Sequence, residues 1–139
     1  CIVRGFCCLR PGLPGLSENI RVRSIIGRFL EHSRIFWFSG GHTDPLDGDF
    51  FIGSADWMHR NLNNRVEATT PVEKPSLRRR LWEVLETILE DHRSAWMMQS
   101  DGTYVRRDVS TIDEDDVRME GTQQRLARLT TERLRGRRE

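Results

Sequence analysis

The chain has 139 residues, 37% of them hydrophobic and 31% charged. That length suits one domain burying roughly two-thirds of the surface its unfolded chain exposes. Twenty-two basic residues against 21 acidic ones leave a net charge of +1, which disfavours a nucleic-acid binder working by bulk charge. No run approaches the ~18 consecutive apolar residues of a membrane span. Lys74 is the only lysine among the bases. Arginine's planar fork suits bidentate phosphate or carboxylate contacts, although genome composition produces the same bias. Three crowded cysteines, Cys1, Cys7 and Cys8, form neither a disulfide framework nor a zinc site, so a reducing, cytosolic setting is expected. The chain opens on a cysteine, with no signal peptide, and reads as a fragment of something longer.

In chain order, Cys1 to Leu9 is apolar apart from Arg4 and reads as a buried strand. Arg10-Pro11-Gly12-Leu13-Pro14-Gly15 ends it, because proline and glycine deny ladder donors and helix continuity alike. Ile20, Val22, Ile25 and Ile26 predict a second extended segment, closed by Gly27. Ile35-Phe36-Trp37-Phe38 is a dense strand signal, followed by a polar turn and Phe50-Phe51-Ile52, which together read as a hairpin or two neighbouring strands. Ala55 to Leu62 has helical potential, and the β-branched alternation from Arg65 to Val72 reads as a strand. From Pro75, the spacing of Leu77, Leu81, Val84, Leu85, Ile88 and Leu89 predicts an amphipathic helix running to about Trp96. Asp101-Gly102 then predicts a turn, and Thr103 to Val105 a short strand. Beyond Arg106 the chain is acidic at Asp113 to Asp116 and arginine-rich from Gln123 to Arg138. Leu126, Leu129 and Leu134 allow a marginal amphipathic helix there, and a solvated or disordered tail is the alternative. Strands interleaved with helices give an α/β domain, the long helix packing its leucine stripe on a sheet.

Three clusters carry groups suited to phosphate chemistry. Glu31-His32-Ser33-Arg34 precedes the IFWF strand, and residues two apart in extended chain share a face. His32 and Arg34 would therefore converge, or His32 is simply a hydrogen-bonded structural histidine. Ile52-Gly53-Ser54-Ala55-Asp56 ends the next strand with a close-approach glycine and a hydroxyl, although Ser54 or Asp56 also suits an ordinary helix cap. Arg60-Asn61-Leu62-Asn63-Asn64-Arg65 either binds phosphate or builds an Asx-rich turn. Arg4, flanked by Val3 and Phe6, must line a cleft or find a buried partner such as Glu67 or Asp56. His42, His59 and His92 have no metal-ligand spacing, Arg78-Arg79-Arg80 reads as a solvated face, and no P-loop is present.

Taken in order, the stretches VRGFCCLRPG, GLSENIRVRSIIGRFLEHSRIFWF, GSADWMHRNLNNRVEATTPV and DGTYVRR resemble the C-terminal part of the long, phospholipase D-like polyphosphate kinases. The resemblance implies a phospholipase D-like mixed sheet flanked by helices, with the long amphipathic helix after the last main strand. It makes residues 1–107 the second of two such domains and leaves 108–139 as a polar tail. It implies reversible transfer of the terminal phosphate of ATP to inorganic polyphosphate, through a phosphohistidine in a preceding domain and with Mg2+. His32 matches the second essential histidine of the family's EHxR stretch, and Arg4 and Arg65 match arginines that contact phosphates. Arg34 and Ser54 are placed at the phosphate site by position. Arg34 stands where phospholipases carry lysine, and Asp56 where they carry asparagine; both departures argue against phosphodiester hydrolysis. That hydrolysis, or a non-catalytic phosphate-binding role, is the alternative reading. Expected partners are ATP or ADP, polyphosphate, the enzyme's upstream domains and a second copy, with no nucleic acid. The expected place is the cytoplasm or the periphery of the membrane's inner face, and without its partner domain the chain is expected to be inactive by itself. Binding of RNA or acidic lipid by the arginine-rich tail would rest on composition alone.

Overall fold

A computed structural model describes residues 1–136. The chain divides into two units, one formed by 32–86 and the other by 1–31 with the residues from 87 on.

In the 32–86 unit, β2 (Ile35–Phe38) and β3 (Asp49–Gly53) form the expected antiparallel hairpin, with Trp37 opposite Phe50, and β4 (Thr69–Pro71) adds to β3. Pro71 carries no N–H and sits on an edge strand, where a missing donor costs no ladder bond. The hairpin turn closes through a 3-10 turn at Pro45–Asp47, capped by the Asp44 carboxylate accepting from Leu46 N–H at 2.9 Å. Trp37 donates its indole N–H to Pro45 O at 2.9 Å, and at Gly48 a Cβ would lie 2.6 Å from that nitrogen, so the turn admits only glycine. Phe50 is buried and Trp37 leans on it and, at 5.0 Å, on Trp82 of α2 (Pro75–Glu90). This aromatic group is the unit's core. Before α2 lies α1 (His59–Asn64), a short helix that starts later than the expected Ala55. The strand expected from Arg65 shrinks to three residues, because α1 and the turn after it use the chain up to Ala68. Arg78 is not solvated: its Nε donates to Val72 O at 2.9 Å and its Nη1 to Leu46 O at 3.3 Å.

In the other unit, β1 (Arg23–Ile25), β5 (Ala95–Met98) and β6 (Tyr104–Arg106) make an antiparallel sheet in the order β1-β5-β6. The α/β class holds, but the expected single mixed sheet is two three-stranded antiparallel sheets, with one parallel bridge, Ile2 to Arg23. That bridge is all that remains of the expected first strand: Phe6 is fully exposed and Arg4 exposed. A three-residue β1 offers no ladder beyond Arg23, so the apolar segment has nothing to pair with. The long helix stops at Glu90 rather than Trp96, and β5 and β6 follow it. Asp91 ends it by accepting from Ser94 N–H at 2.7 Å, and β5 then buries Ala95 and Met98 between β1 and β6.

The arginine-rich segment is ordered through α3 (Thr122–Arg135). Thr122 is buried, and both its N–H and its hydroxyl donate to Asp91 Oδ2 at 2.6 Å. Gly121 enters the helix at φ +84°, a left-handed conformation that an L side chain resists. Arg125 pairs with Glu90 at 2.6 Å, and Arg128 with Glu120 and Glu132. Of the expected tail, Arg137 and Arg138 lie outside the described residues. No helix is long and apolar enough to cross a membrane among the described residues.

Candidate phosphate site

His32 and Arg34 lie just before β2, extended and two apart, and they meet: Arg34 Nη2 is 2.7 Å from His32 Nε2. Arg34 is tied at three points. Its carbonyl accepts from Gly53 N–H at 3.1 Å at the end of β3, its Nε donates to Asp56 Oδ1 at 2.9 Å, and its Nη2 reaches the histidine. The exchange shows in both partners, since the bond to Asp56 raises the guanidinium's pKa and that to Arg34 lowers the carboxyl's.

Beside this line runs a second one. The Ser54 hydroxyl donates to Glu67 Oε2 and accepts from Ala68 N–H at 3.1 Å, and the buried Asn61 donates its Nδ2 to Glu67 Oε1 at 2.8 Å. These two bonds, from Ser54 first, hold the Glu67 carboxyl below its ordinary pKa. Ser54 and Asp56 are therefore not helix caps: α1 starts after Met58, with no side chain at its cap. The amide run does contain an Asx contact, Asn63 Nδ2 to His59 O at 3.1 Å, while Asn61 serves the carboxylate.

Arg65 is exposed at the C-terminal cap of α1, close enough to act on Glu67 electrostatically, as Arg60 does on Asp56. Three guanidiniums, Arg34, Arg60 and Arg65, thus surround two carboxylates and one exposed imidazole, leaving positive charge for an anion. Arg60 and Glu67 carried little weight in the sequence, because an arginine in an amide run and a glutamate in a strand pattern have many other uses.

Arg4 lies in the other unit. Exposed rather than buried, it needs no buried partner, and Asp56 and Glu67 have their own. It lines an open recess of about 270 Å³ with Gly5, Ser24, Ile26, Trp96 and Tyr104. No group of three or more His, Cys, Asp or Glu able to hold a metal occurs among the described residues. Asp56 and Glu67 already accept from Arg34, Ser54 and Asn61, and among the described residues they belong to no ligand cluster that would hold a magnesium ion.

A family model described as polyphosphate kinase C-terminal domain 2 matches residues 1–119. The chain belongs to that family. It is 60% identical over 106 residues to the polyphosphate kinase of Thermosynechococcus vestitus, covering 76% of this chain and 14% of that protein. To that of Parasynechococcus marenigrum it is 58% identical over 117 residues, covering 84% and 16%. To that of Pseudomonas aeruginosa it is 56% identical over 105 residues, covering 76% and 15%. The crystal structure of polyphosphate kinase from Porphyromonas gingivalis is similar at a TM-score of 0.76 and 38% identity, covering 91% of this chain and 18% of that one. The chain thus spans about a seventh of the length of these curated polyphosphate kinases.

Proposed function

We propose that this chain supplies one wall of the active site of a polyphosphate kinase that moves the terminal phosphate of ATP reversibly onto inorganic polyphosphate. The observation that carries the reading is the convergence of Arg34 on His32 amid further arginines. Phosphoryl transfer asks mainly for positioning and for neutralisation of charge spread over the phosphate oxygens. Arg34 and Arg65 supply that charge from just before β2 and from the end of α1, and Ser54 shapes the loop after β3. His32 acts as acid, base or phosphate stabiliser opposite a phosphohistidine carried by another domain, an imidazole being able to hold or release a proton near neutral pH. Arg4 contacts phosphates of the nucleotide or polyphosphate from its own unit. A magnesium ion would be held by the nucleotide phosphates, since the described residues offer no carboxylate cluster for it. The cytoplasmic setting rests on the cysteine usage and the family resemblance, and self-association and peripheral membrane contact rest on the resemblance.

The test is ATP formation from ADP and polyphosphate by a full-length relative carrying this chain's sequence over the matched stretch. With His32 intact the graft turns over; His32→Ala abolishes turnover with an unchanged circular dichroism spectrum. Turnover that survives His32→Ala would remove His32 from the chemistry. Hydrolysis of a model phosphodiester in place of ATP formation would favour the phospholipase reading, and an inert graft a non-catalytic one.

A further inference from the structure

The geometry points to Asp56 as a positioning residue that sets, through Arg34, which nitrogen of His32 carries the proton. A guanidinium offers five N–H donors and no acceptor. The 2.7 Å approach of Arg34 Nη2 to His32 Nε2 therefore makes Nε2 the acceptor, and a neutral imidazole so engaged keeps its proton on Nδ1. A free imidazole in water prefers the opposite tautomer, with the proton on Nε2. The arrangement reverses that preference, so something must hold Arg34 in place.

Two neighbours do. Asp56 Oδ1 accepts from Arg34 Nε at 2.9 Å, on a side chain only 21% exposed, and Gly53 N–H fixes the Arg34 carbonyl at 3.1 Å. Asp56 lies three residues beyond Gly53, so both anchors come from the end of β3. Glu67 adds an attractive charge to Arg34 from the Ser54–Asn61 side. His32 itself is exposed, and its Nδ1 has no hydrogen-bond partner among the described residues. Nδ1–H is thus the nitrogen presented to a ligand. On the kinase reading, from which the ligand's identity is taken, it donates a hydrogen bond to a phosphate oxygen. Three N–H groups of Arg34, those not on Asp56 or His32, stay available to the same phosphate.

The first readout is independent of catalysis. In the 139-residue chain labelled with 15N-histidine, two-bond proton–nitrogen correlations above about pH 8, where an ordinary imidazole is neutral, report the tautomer. The His32 signal is assigned by its loss in His32→Gln. The wild-type chain shows the proton on Nδ1. Asp56→Asn, which keeps the shape and removes the charge, moves it toward Nε2, and Asp56→Glu restores Nδ1. Arg34→Lys moves it likewise, since an ammonium lacks the fork that bridges two partners; it gives the same answer if Asp56→Asn fails to fold. A wild-type proton on Nε2, or a tautomer indifferent to both substitutions, overturns the proposal. The second readout is the active full-length graft. There Asp56→Asn lowers kcat about 100-fold, the scale of a misplaced proton donor, with KM for polyphosphate within about twofold. Unchanged kcat overturns the catalytic consequence. A graft inactive with Asp56 and His32 intact refutes the kinase reading, and the tautomer measurement still decides the arrangement.

Discussion

At Arg34 a single side chain does what its neighbours in sequence cannot, because only a planar fork reaches a carboxylate with one edge and an imidazole with another. Arg65 and Arg4 have simpler geometry. Each is exposed, so neither holds the fold together, and truncation removes charge without opening a cavity. Arg4→Ala and Arg65→Ala in the full-length graft should each raise KM for nucleotide or polyphosphate about tenfold or more, the loss of one charge-assisted contact worth about 1.5–3 kcal/mol. Melting temperatures of the 139-residue chain should stay within a degree or two of the parent. Unchanged KM and kcat would remove the residue concerned from phosphate binding. Both positions were visible in the sequence as arginines in unusual company. Glu67 and Asn61 were less visible, because they act only once α1 and the end of β3 stand side by side.

At the scale of elements, stability concentrates in two places. Phe50 is fully buried against Trp37, and Phe50→Ala should cost about 3–5 kcal/mol, read by denaturant unfolding, through lost burial and an unfilled cavity. α3 is docked mainly by polar contacts, with the buried one at Thr122. Thr122 gives Asp91 two hydrogen bonds, so Thr122→Val removes the hydroxyl's and leaves a buried carboxylate short of a donor. A loss of about 1–3 kcal/mol is expected, with helical signal falling first in the thermal melt measured by circular dichroism. A melt matching the parent's would mean that the Arg125–Glu90 ion pair and the Gln123 bonds to the Phe29 backbone suffice to dock α3. From its leucines alone this helix was marginal; a capping contact thirty-one residues back in the chain makes it ordered.

For the whole molecule the sharpest lever is pH. Burial, then the charges of Arg107 and Arg118, push His92 below its ordinary pKa, and Asp91 and Asp116 only partly offset them. Between that lowered value and about 6.5, the unfolded chain binds a proton that the fold refuses, so stability falls as pH drops below about 6.5. A second descent follows below about pH 4. There the lowered carboxyls of Asp56, Glu67 and Asp116, held by Arg34, by Ser54 and Asn61, and by Arg118, must take up protons. His92→Gln should flatten the first descent and leave the second, in melting temperatures recorded from pH 8 to pH 3. A first descent that persists in His92→Gln would assign it to another group.

The amino-acid order by itself determined the α/β class, the β2–β3 hairpin, the start of α2 and the meeting of His32 with Arg34. Each is local: alternation, helical spacing, a proline at a helix start, or two residues apart on an extended chain. Tertiary structure decided the rest. The apolar run from Cys1 to Leu9 failed as a strand for want of a ladder, and α2 stopped at Glu90 because β5 was needed between β1 and β6. Ser54 and Asp56 left the helix-cap role for Glu67 and Arg34. Hydrogen-bond partners distant along the chain cannot be weighed from spacing, since which of them is near depends on packing that exists only after folding.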